Sequence, residues 1–175
     1  MPPTTLINSV AGNANGSSLP ARWPCGRRCW YATSRSRHST LSVRAQILNL
    51  LVALQSRHGM STLFVSHDLA VVRHVCDRVA VMYLGRLAEL APRDALYAQP
   101  RHPYTKALLA AVPEPDPAVQ RAKPRVPLTG EIPSAANPPS GCRFHTRCQI
   151  AIDICRHEVP AWRPVGNSQV ACHLV

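Results

Sequence analysis

A histidine that could do chemistry stands in the tripeptide Ser66-His67-Asp68, directly after the short apolar run of residues 62–65. That run combines Thr, Leu, Phe and Val, which predicts a buried strand of a parallel sheet. Ligands of open α/β sheets bind just beyond the carboxyl ends of strands, so this position favours a functional role for His67. Asp68 can cap the helix predicted from Leu69. A purely structural histidine is common at such a position too, and the surrounding sequence has to decide between the two.

A second set of reactive side chains lies near the C-terminus, with the spacing C-x5-C-x6-C-x16-C. Its members are Cys142, Cys148, Cys155 and Cys172. Four thiolates in a reducing compartment can hold a zinc ion or an iron–sulfur cluster. The spacing matches neither a paired CxxC zinc ribbon nor a ferredoxin run, so the residues alone leave zinc, iron–sulfur and reduced structural cysteines open. His145 and His173 are alternative metal ligands.

The elements that must position these residues follow from hydrophobic periodicity and turn signals. One face of a helix that begins near Leu41 and ends at Gly59 carries the apolar residues Val43, Ile47, Leu50, Leu51 and Leu54. Further helices are predicted over residues 69–76, 92–99 and 101–112, and strands over 62–66, 79–83 and 87–90. Proline recurs through residues 113–140, which predicts an extended connector.

The charged residues are distributed unevenly along the sequence. The chain has 175 residues and a net charge of +11, yet no acidic residue precedes Asp68. Such a basic balance makes a nucleic-acid-binding protein one alternative. No apolar run is long enough for a membrane span, and the N-terminus lacks the layout of a signal peptide, which together favour a cytosolic protein.

The sequence around His67 resembles the switch-histidine region of ABC transporter ATPases. The similarity includes the preceding amphipathic helix and the string Asp-Arg-Val-Ala-Val-Met-Tyr-Leu-Gly-Arg at residues 77–86. Arg-His-Pro-Tyr-Thr at residues 101–105 and Leu-Thr-Gly-Glu-Ile-Pro-Ser at 128–134 are similar to the ATP-binding subunits of bacterial dipeptide and oligopeptide importers. The resemblance implies an α/β fold, ATP with Mg²⁺ as ligands, and a contact between His67 and the γ-phosphate. It also implies a second ATP-binding subunit and permease subunits as partners, no nucleic acid, and a place at the cytoplasmic face of the membrane.

The cysteine-containing region resembles the C-terminal extension of the same family. The matching strings are Pro-Ser-Gly-Cys-Arg-Phe-His-Thr-Arg-Cys at residues 139–148 and Val-Ala-Cys-His at 170–173. Some members carry a four-iron, four-sulfur cluster there. The resemblance therefore implies that cluster, held by the four cysteines, with zinc as the alternative.

Several ATPase motifs are absent from this reading frame: the Gly-rich GxxxxGK(S/T) loop, the LSGGQ signature and the Asp-Glu pair that positions Mg²⁺ and water. Read one frame over, however, the codons of residues 7–39 can encode QLSGGQRQRIVI followed by ARALALRPQVLVCDEPVTALD. We therefore predict three parts: residues 1–40 as an aberrant, disordered, out-of-frame segment; 41–112 as the C-terminal part of an ATPase domain; and 113–175 as the cysteine-containing extension. A truncated subunit, inactive alone, is the expected function, with a free-standing metal-binding module as the alternative.

Overall fold

The computed structural model describes residues 5–10, 29–33, 41–59, 61–113, 116–122, 128 and 130–175. The elements in its first half are β1 (Thr5–Val10), β2 (Cys29–Thr33), α1 (Leu41–His58), β3 (Ser61–Val65), α2 (Leu69–Val75), β4 (Arg78–Tyr83) and β5 (Arg86–Pro92). They are followed by α3 (Arg93–Ala98), α4 (Pro103–Ala110), α5 (Pro117–Ala122), a 3-10 turn (His145–Arg147), α6 (Ile154–His157), β6 (Trp162–Val165) and β7 (Ser168–Ala171).

The described strands form one mixed sheet in the order β2-β3-β1-β4-β5-β7-β6. Neighbours from β2 to β4 are parallel, and neighbours from β4 to β6 are antiparallel. The mixture of helices and strands is consistent with the C-terminal part of an ABC ATPase. The predicted elements from α1 to α4 are all present, with bounds that differ by no more than a few residues.

Two strands lie where the sequence shows no strand period. Both β1 and β2 fall within residues 1–40, and they pair with β3 from opposite sides. Strand β3 therefore has a backbone partner on each side. Most of residues 1–40, including Cys25, lies outside the described residues.

The core lies between the sheet and the helices α2 to α4. Its fully buried side chains include Val72, Cys76, Val79, Val81 and Leu96. Burial raises the pKa of the Cys76 thiol to about 12, with a further increase from the nearby Asp77 carboxylate. Cys76 is therefore a small core residue, as its position on the apolar side of the predicted helix indicates.

The predicted apolar face of α1 is only loosely packed. Ile47 and Leu50 are exposed, and among the described side chains of this helix it is Leu48, from outside the predicted face, that packs against the core. The predicted helix is thus confirmed, whereas Ile47 and Leu50 on its apolar face are not buried.

The C-terminal residues continue the same sheet. Strand β7 pairs with β5, placing Val170 opposite Glu89, and the side chain of Val170 is completely buried. The predicted connector differs from the structure in one place, because Pro117 begins the short helix α5. Proline is well tolerated at the first position of a helix, where its missing N–H leaves no bond unmade.

His67 and the C-terminal cysteines

The turn from β3 to α2 is held by the two neighbours of His67. The backbone N–H of Asp68 donates to the Ser66 hydroxyl at 3.0 Å, and the Ser66 side chain is buried. Oδ1 of Asp68 accepts hydrogen bonds from the N–H groups of Ala70 (3.1 Å) and Val71 (3.3 Å). The predicted N-cap is confirmed, and it orders the backbone on both sides of the histidine.

The His67 side chain is exposed at the carboxyl end of β3. Within the part of the chain that the structure describes, no hydrogen bond to its ring is found. The imidazole is therefore accessible from solvent, on a turn whose backbone is ordered.

Glu89 on β5 is a completely buried carboxylate. Its Oε1 accepts a hydrogen bond from the backbone N–H of Arg101, and its Oε2 accepts one from that of His102, both at 2.9 Å. One side chain thereby holds the loop before α4 against the sheet. Sequence reasoning missed this residue, and the available signal was a single acid inside the otherwise apolar arm of residues 87–91.

His102 caps α4 from the buried side. Its Nδ1 accepts a hydrogen bond from the Tyr104 N–H at 3.0 Å, and Pro103 is the first residue of the helix. Burial lowers the pKa of His102 to about 4, although the ring's hydrogen bond to the Ala171 carbonyl acts in the opposite direction. Both His102 and Tyr104 are buried at the N-terminus of α4.

An aromatic cluster joins the ATPase-like part to the cysteine-containing part. The ring of Phe144 lies 5.2 Å from that of Tyr83, 5.3 Å from Tyr104 and 5.8 Å from His102, measured between centroids. Phe144 is buried, and it stands between Cys142 and Cys148 in the sequence. The cysteine motif is thus anchored to the core through its phenylalanine.

The four predicted cysteines are all free thiols, and each is buried or half-buried. Burial raises the pKa of Cys142, and the thiols of Cys155, Cys172 and Cys148 raise it further. The pKa of Cys148 is likewise raised by burial and by Cys172 and Cys155. The four thiols therefore influence one another electrostatically.

A glycine allows the backbones of Cys142 and Cys155 to come close together. Gly141 has φ +62°, and a Cβ atom there would lie 2.5 Å from the Cys155 carbonyl oxygen. Next to it, the Cys142 N–H donates to that same oxygen at 2.9 Å. Only glycine fits this conformation and this contact, which hold the Cys142 backbone against that of Cys155.

Cysteine and histidine side chains are suitable metal ligands, but here they are not arranged as a ligand shell. In residues 41–59 and 61–175, apart from the gaps given above, no group of three or more His, Cys, Asp and Glu side chains is arranged to hold a metal ion. The alternative ligands are engaged elsewhere: His145 Nδ1 lies 2.8 Å from the Cys142 carbonyl oxygen, and His173 Nε2 lies 3.1 Å from that of Glu158. The positions of the four sulfur atoms therefore do not by themselves indicate a bound metal.

The segment from Ala88 to Cys155 matches a known family model, the oligopeptide/dipeptide transporter C-terminal region, over residues 88–155. The chain is 62% identical over 77% of its length to a probable peptide ABC transporter ATP-binding protein of Sinorhizobium fredii. It is 52% identical over 76% of its length to a di/tripeptide transport ATP-binding protein of Pseudomonas aeruginosa. It is 49% identical over 77% of its length to an oligopeptide transport ATP-binding protein of Bacillus subtilis.

In sequence, the chain is similar to the C-terminal part of the ATP-binding proteins of peptide ABC transporters. It spans 38–41% of the length of these relatives. The sequence-based recognition of the peptide-importer family is confirmed. No helix among the described residues is both long and apolar enough to cross a membrane.

The family match separates the candidate residues into two groups. Glu89, His102 and Phe144 lie inside the matched residues 88–155, as do Cys142, Cys148 and Cys155. His67 and Cys172 lie outside that range. The contacts of Phe144 with His102 and Tyr104 thus lie within the matched residues, whereas Tyr83 lies just outside them.

Proposed function

We propose that this chain is part of the ATP-binding, energy-coupling subunit of a peptide importer, in which His67 contacts the γ-phosphate of ATP. The observation that carries the proposal is the exposed imidazole on the ordered turn after β3. The relatives support it, because their names describe ATP-binding proteins of peptide transport.

The role of the imidazole follows from the chemistry of phosphoryl transfer. Catalysis there depends on positioning and on stabilising charge at the phosphate oxygens. The Ser66 and Asp68 contacts order the backbone that carries His67, and a ring N–H from this position would supply one donor. The other groups that hold ATP and Mg²⁺ have no counterpart in this reading frame, so we propose that the chain alone neither binds ATP tightly nor hydrolyses it.

The same proposal includes the setting of the whole subunit. Its partners would be a second ATP-binding subunit and the permease subunits, and it would lie at the cytoplasmic face of the membrane. Residues 41–112 would be the C-terminal part of the ATPase domain, and residues 113–175 its extension.

We expect replacement of His67 by alanine to abolish most ATP hydrolysis once the missing motifs are supplied. The experiment fuses residues 41–175 to the preceding part of the Sinorhizobium fredii relative and measures ATPase activity of the chimera. Loss of one preorganised donor to the transferred phosphate should lower kcat by about 100-fold. The present chain, without the fusion, should show no hydrolysis.

The matched control is His74→Ala, which removes an exposed histidine from α2. It should leave kcat of the chimera unchanged. Equal activity of the His67→Ala and His74→Ala chimeras would refute the role of His67, and ATP hydrolysis by the present chain would refute its proposed inactivity.

We propose, second, that Cys142, Cys148, Cys155 and Cys172 take up an iron–sulfur cluster, with zinc as the alternative metal. The observation that favours this is the mutual electrostatic influence of the four buried or half-buried thiols. When bound, such a cluster would supply a cross-link between the segments that carry its ligands. The four sulfurs would have to rearrange to bind it, since their present arrangement is not a ligand shell.

Anaerobic reconstitution of the full chain with iron and sulfide should yield bound iron and broad visible absorption. Cys142→Ser should remove both signals, because a cluster needs all four thiolates. Cys76→Ala, which removes a core cysteine outside the set, should retain them. Stoichiometric zinc without iron would establish the alternative, and absence of both metals would leave reduced structural cysteines.

We propose, third, that residues 1–40 are translated out of frame. The support is the pair of ATPase strings that the shifted codons can encode, in order and next to the start of family resemblance near Leu41. DNA sequencing across codon 40 and upstream should reveal a Gly-rich loop in the frame of LSGGQ, with a slip of one or two bases at the join. Stop codons in that frame would show that the basic segment is genuine.

A further inference from the structure

A cavity lies where the β4–β5 hairpin meets the C-terminal residues. Its volume is about 320 Å³, at the lower end of the ~300–1,000 Å³ range of small-molecule sites. Tyr83, Leu87 and Ala88 line it from the hairpin, and Phe144, Val159 and Trp162 line it from the C-terminal part. His102, which caps α4, also reaches it.

The cavity is apolar and open to solvent. Leu87 is 40% exposed, Val159 51% and Trp162 40%, so apolar side chains line the opening as well as the interior. Water in such a site makes few hydrogen bonds to the apolar walls. An apolar ligand that displaces this water is therefore stabilised by the hydrophobic effect. The concave shape and limited volume favour a small molecule over a protein segment.

The charge around the cavity has one sign. Arg86 and Arg143 line it, and no acidic side chain among the described residues does. Arg86 is exposed, and no ion pair to it is found among the described residues. Guanidinium groups bind carboxylates through two parallel hydrogen bonds, so these side chains suit a carboxylate on the ligand.

The two arginines differ in what else they do. Arg143 donates to the carbonyl of Leu84, and its guanidinium also approaches Gly85, so it helps to hold the hairpin turn. Among the described residues, Arg86 makes no side-chain hydrogen bond of this kind, so it is the cleaner residue for testing ligand binding.

From these observations we infer that the cavity between the β4–β5 hairpin and the C-terminal part binds a small apolar carboxylate, with its anionic group at Arg86 and Arg143. The ligand contacts both parts of the chain, so binding favours their docked arrangement. This inference concerns a cavity that His67 does not line, and it does not depend on ATP binding.

The test uses octanoate on the full chain, with octan-1-ol and octylamine as neutral and cationic probes of the same length. Trp23→Phe and Trp30→Phe leave Trp162 as the reporter, and the thermal midpoint gives a second readout. Octanoate should change Trp162 fluorescence saturably and raise the midpoint, octan-1-ol should bind more weakly, and octylamine should not bind. High salt should weaken octanoate binding only.

Arg86→Gln should weaken octanoate binding by about fivefold and leave octan-1-ol binding unchanged, because an exposed charge pair is partly screened. Arg156→Gln removes an exposed arginine that does not line the cavity and should bind octanoate normally. The unliganded thermal midpoint verifies that each variant folds. Equal binding of octanoate and octan-1-ol, a non-saturable signal, or equal weakening by Arg86→Gln and Arg156→Gln would overturn the inference.

Discussion

Glu89→Ala is expected to lower the free energy of unfolding by about 2–5 kcal/mol, because the replacement leaves one buried and one part-buried backbone N–H group without acceptors. In the folded chain, the carboxylate of this completely buried residue accepts from the N–H groups of Arg101 and His102. Alanine also removes the cost of burying a charged carboxylate, and this gain offsets part of the stability lost with the two hydrogen bonds. Urea unfolding followed by circular dichroism measures the difference.

The isosteric variant Glu89→Gln separates hydrogen bonding from shape. A glutamine side chain has only one acceptor oxygen, so one of the two N–H groups would face an NH₂ donor. We expect Glu89→Gln to be destabilised nearly as much as Glu89→Ala. Glu131→Ala removes an exposed glutamate and should change stability by no more than about 0.5 kcal/mol. A Glu89→Gln variant as stable as Glu131→Ala would contradict the proposed clamp, and the His67 chimera provides a larger host if the isolated variant does not fold.

Local sequence signals predicted much of the first half of the fold. The apolar run before Ser66, the cap at Asp68 and the proline at the start of α4 each act within a few residues, so their outcome depends little on distant contacts. Strands β6 and β7 were missed because each has only four residues and β6 contains Pro164. Such short strands form because β5 offers them a partner, which the sequence does not display.

The inward position of Glu89 illustrates a second limit. A regular strand alternates its faces, yet Ala88 and Glu89 are consecutive and both buried. The pairing with β4 shifts register between Val81 and Met82: Val81 lies opposite Glu89 and Met82 opposite Leu87, which leaves Ala88 as the extra residue of a bulge. A bulge depends on both strands together, so alternation within residues 87–90 alone could not place the carboxylate inside.

The candidate sites were predictable to different degrees. His67 was located by its strand and cap, which are local features. The cysteines were predicted as a set from their types and from family resemblance, but their arrangement also requires Gly141 against the Cys155 carbonyl and Phe144 in the aromatic cluster. Sequence spacing specifies none of these distances, and the same spacing is compatible with a ligand shell or with the present looser arrangement.

Lowering the pH from 7.5 to 4.5 is expected to remove about 2–3 kcal/mol of stability through His102 alone. Burial lowers its pKa to about 4 in the folded chain, below the ordinary value of 6.5. The unfolded chain therefore binds the extra proton first, and the stabilisation is complete above pH 6.5 and lost as the pH falls toward 4. Protonation would also convert Nδ1 from the acceptor of the Tyr104 N–H into a donor.

His102→Asn isolates this contribution, because asparagine keeps a side-chain acceptor for the cap but does not titrate. Urea unfolding of both proteins at several pH values should give a stability difference that changes by about 2–3 kcal/mol between pH 7.5 and 4.5, with the original chain losing more. Other acidic and histidine groups titrate in both proteins and cancel in the difference. A difference that stays constant with pH would mean that His102 is as easily protonated in the folded chain as in the unfolded one, which its buried bonds to Tyr104 and Ala171 argue against.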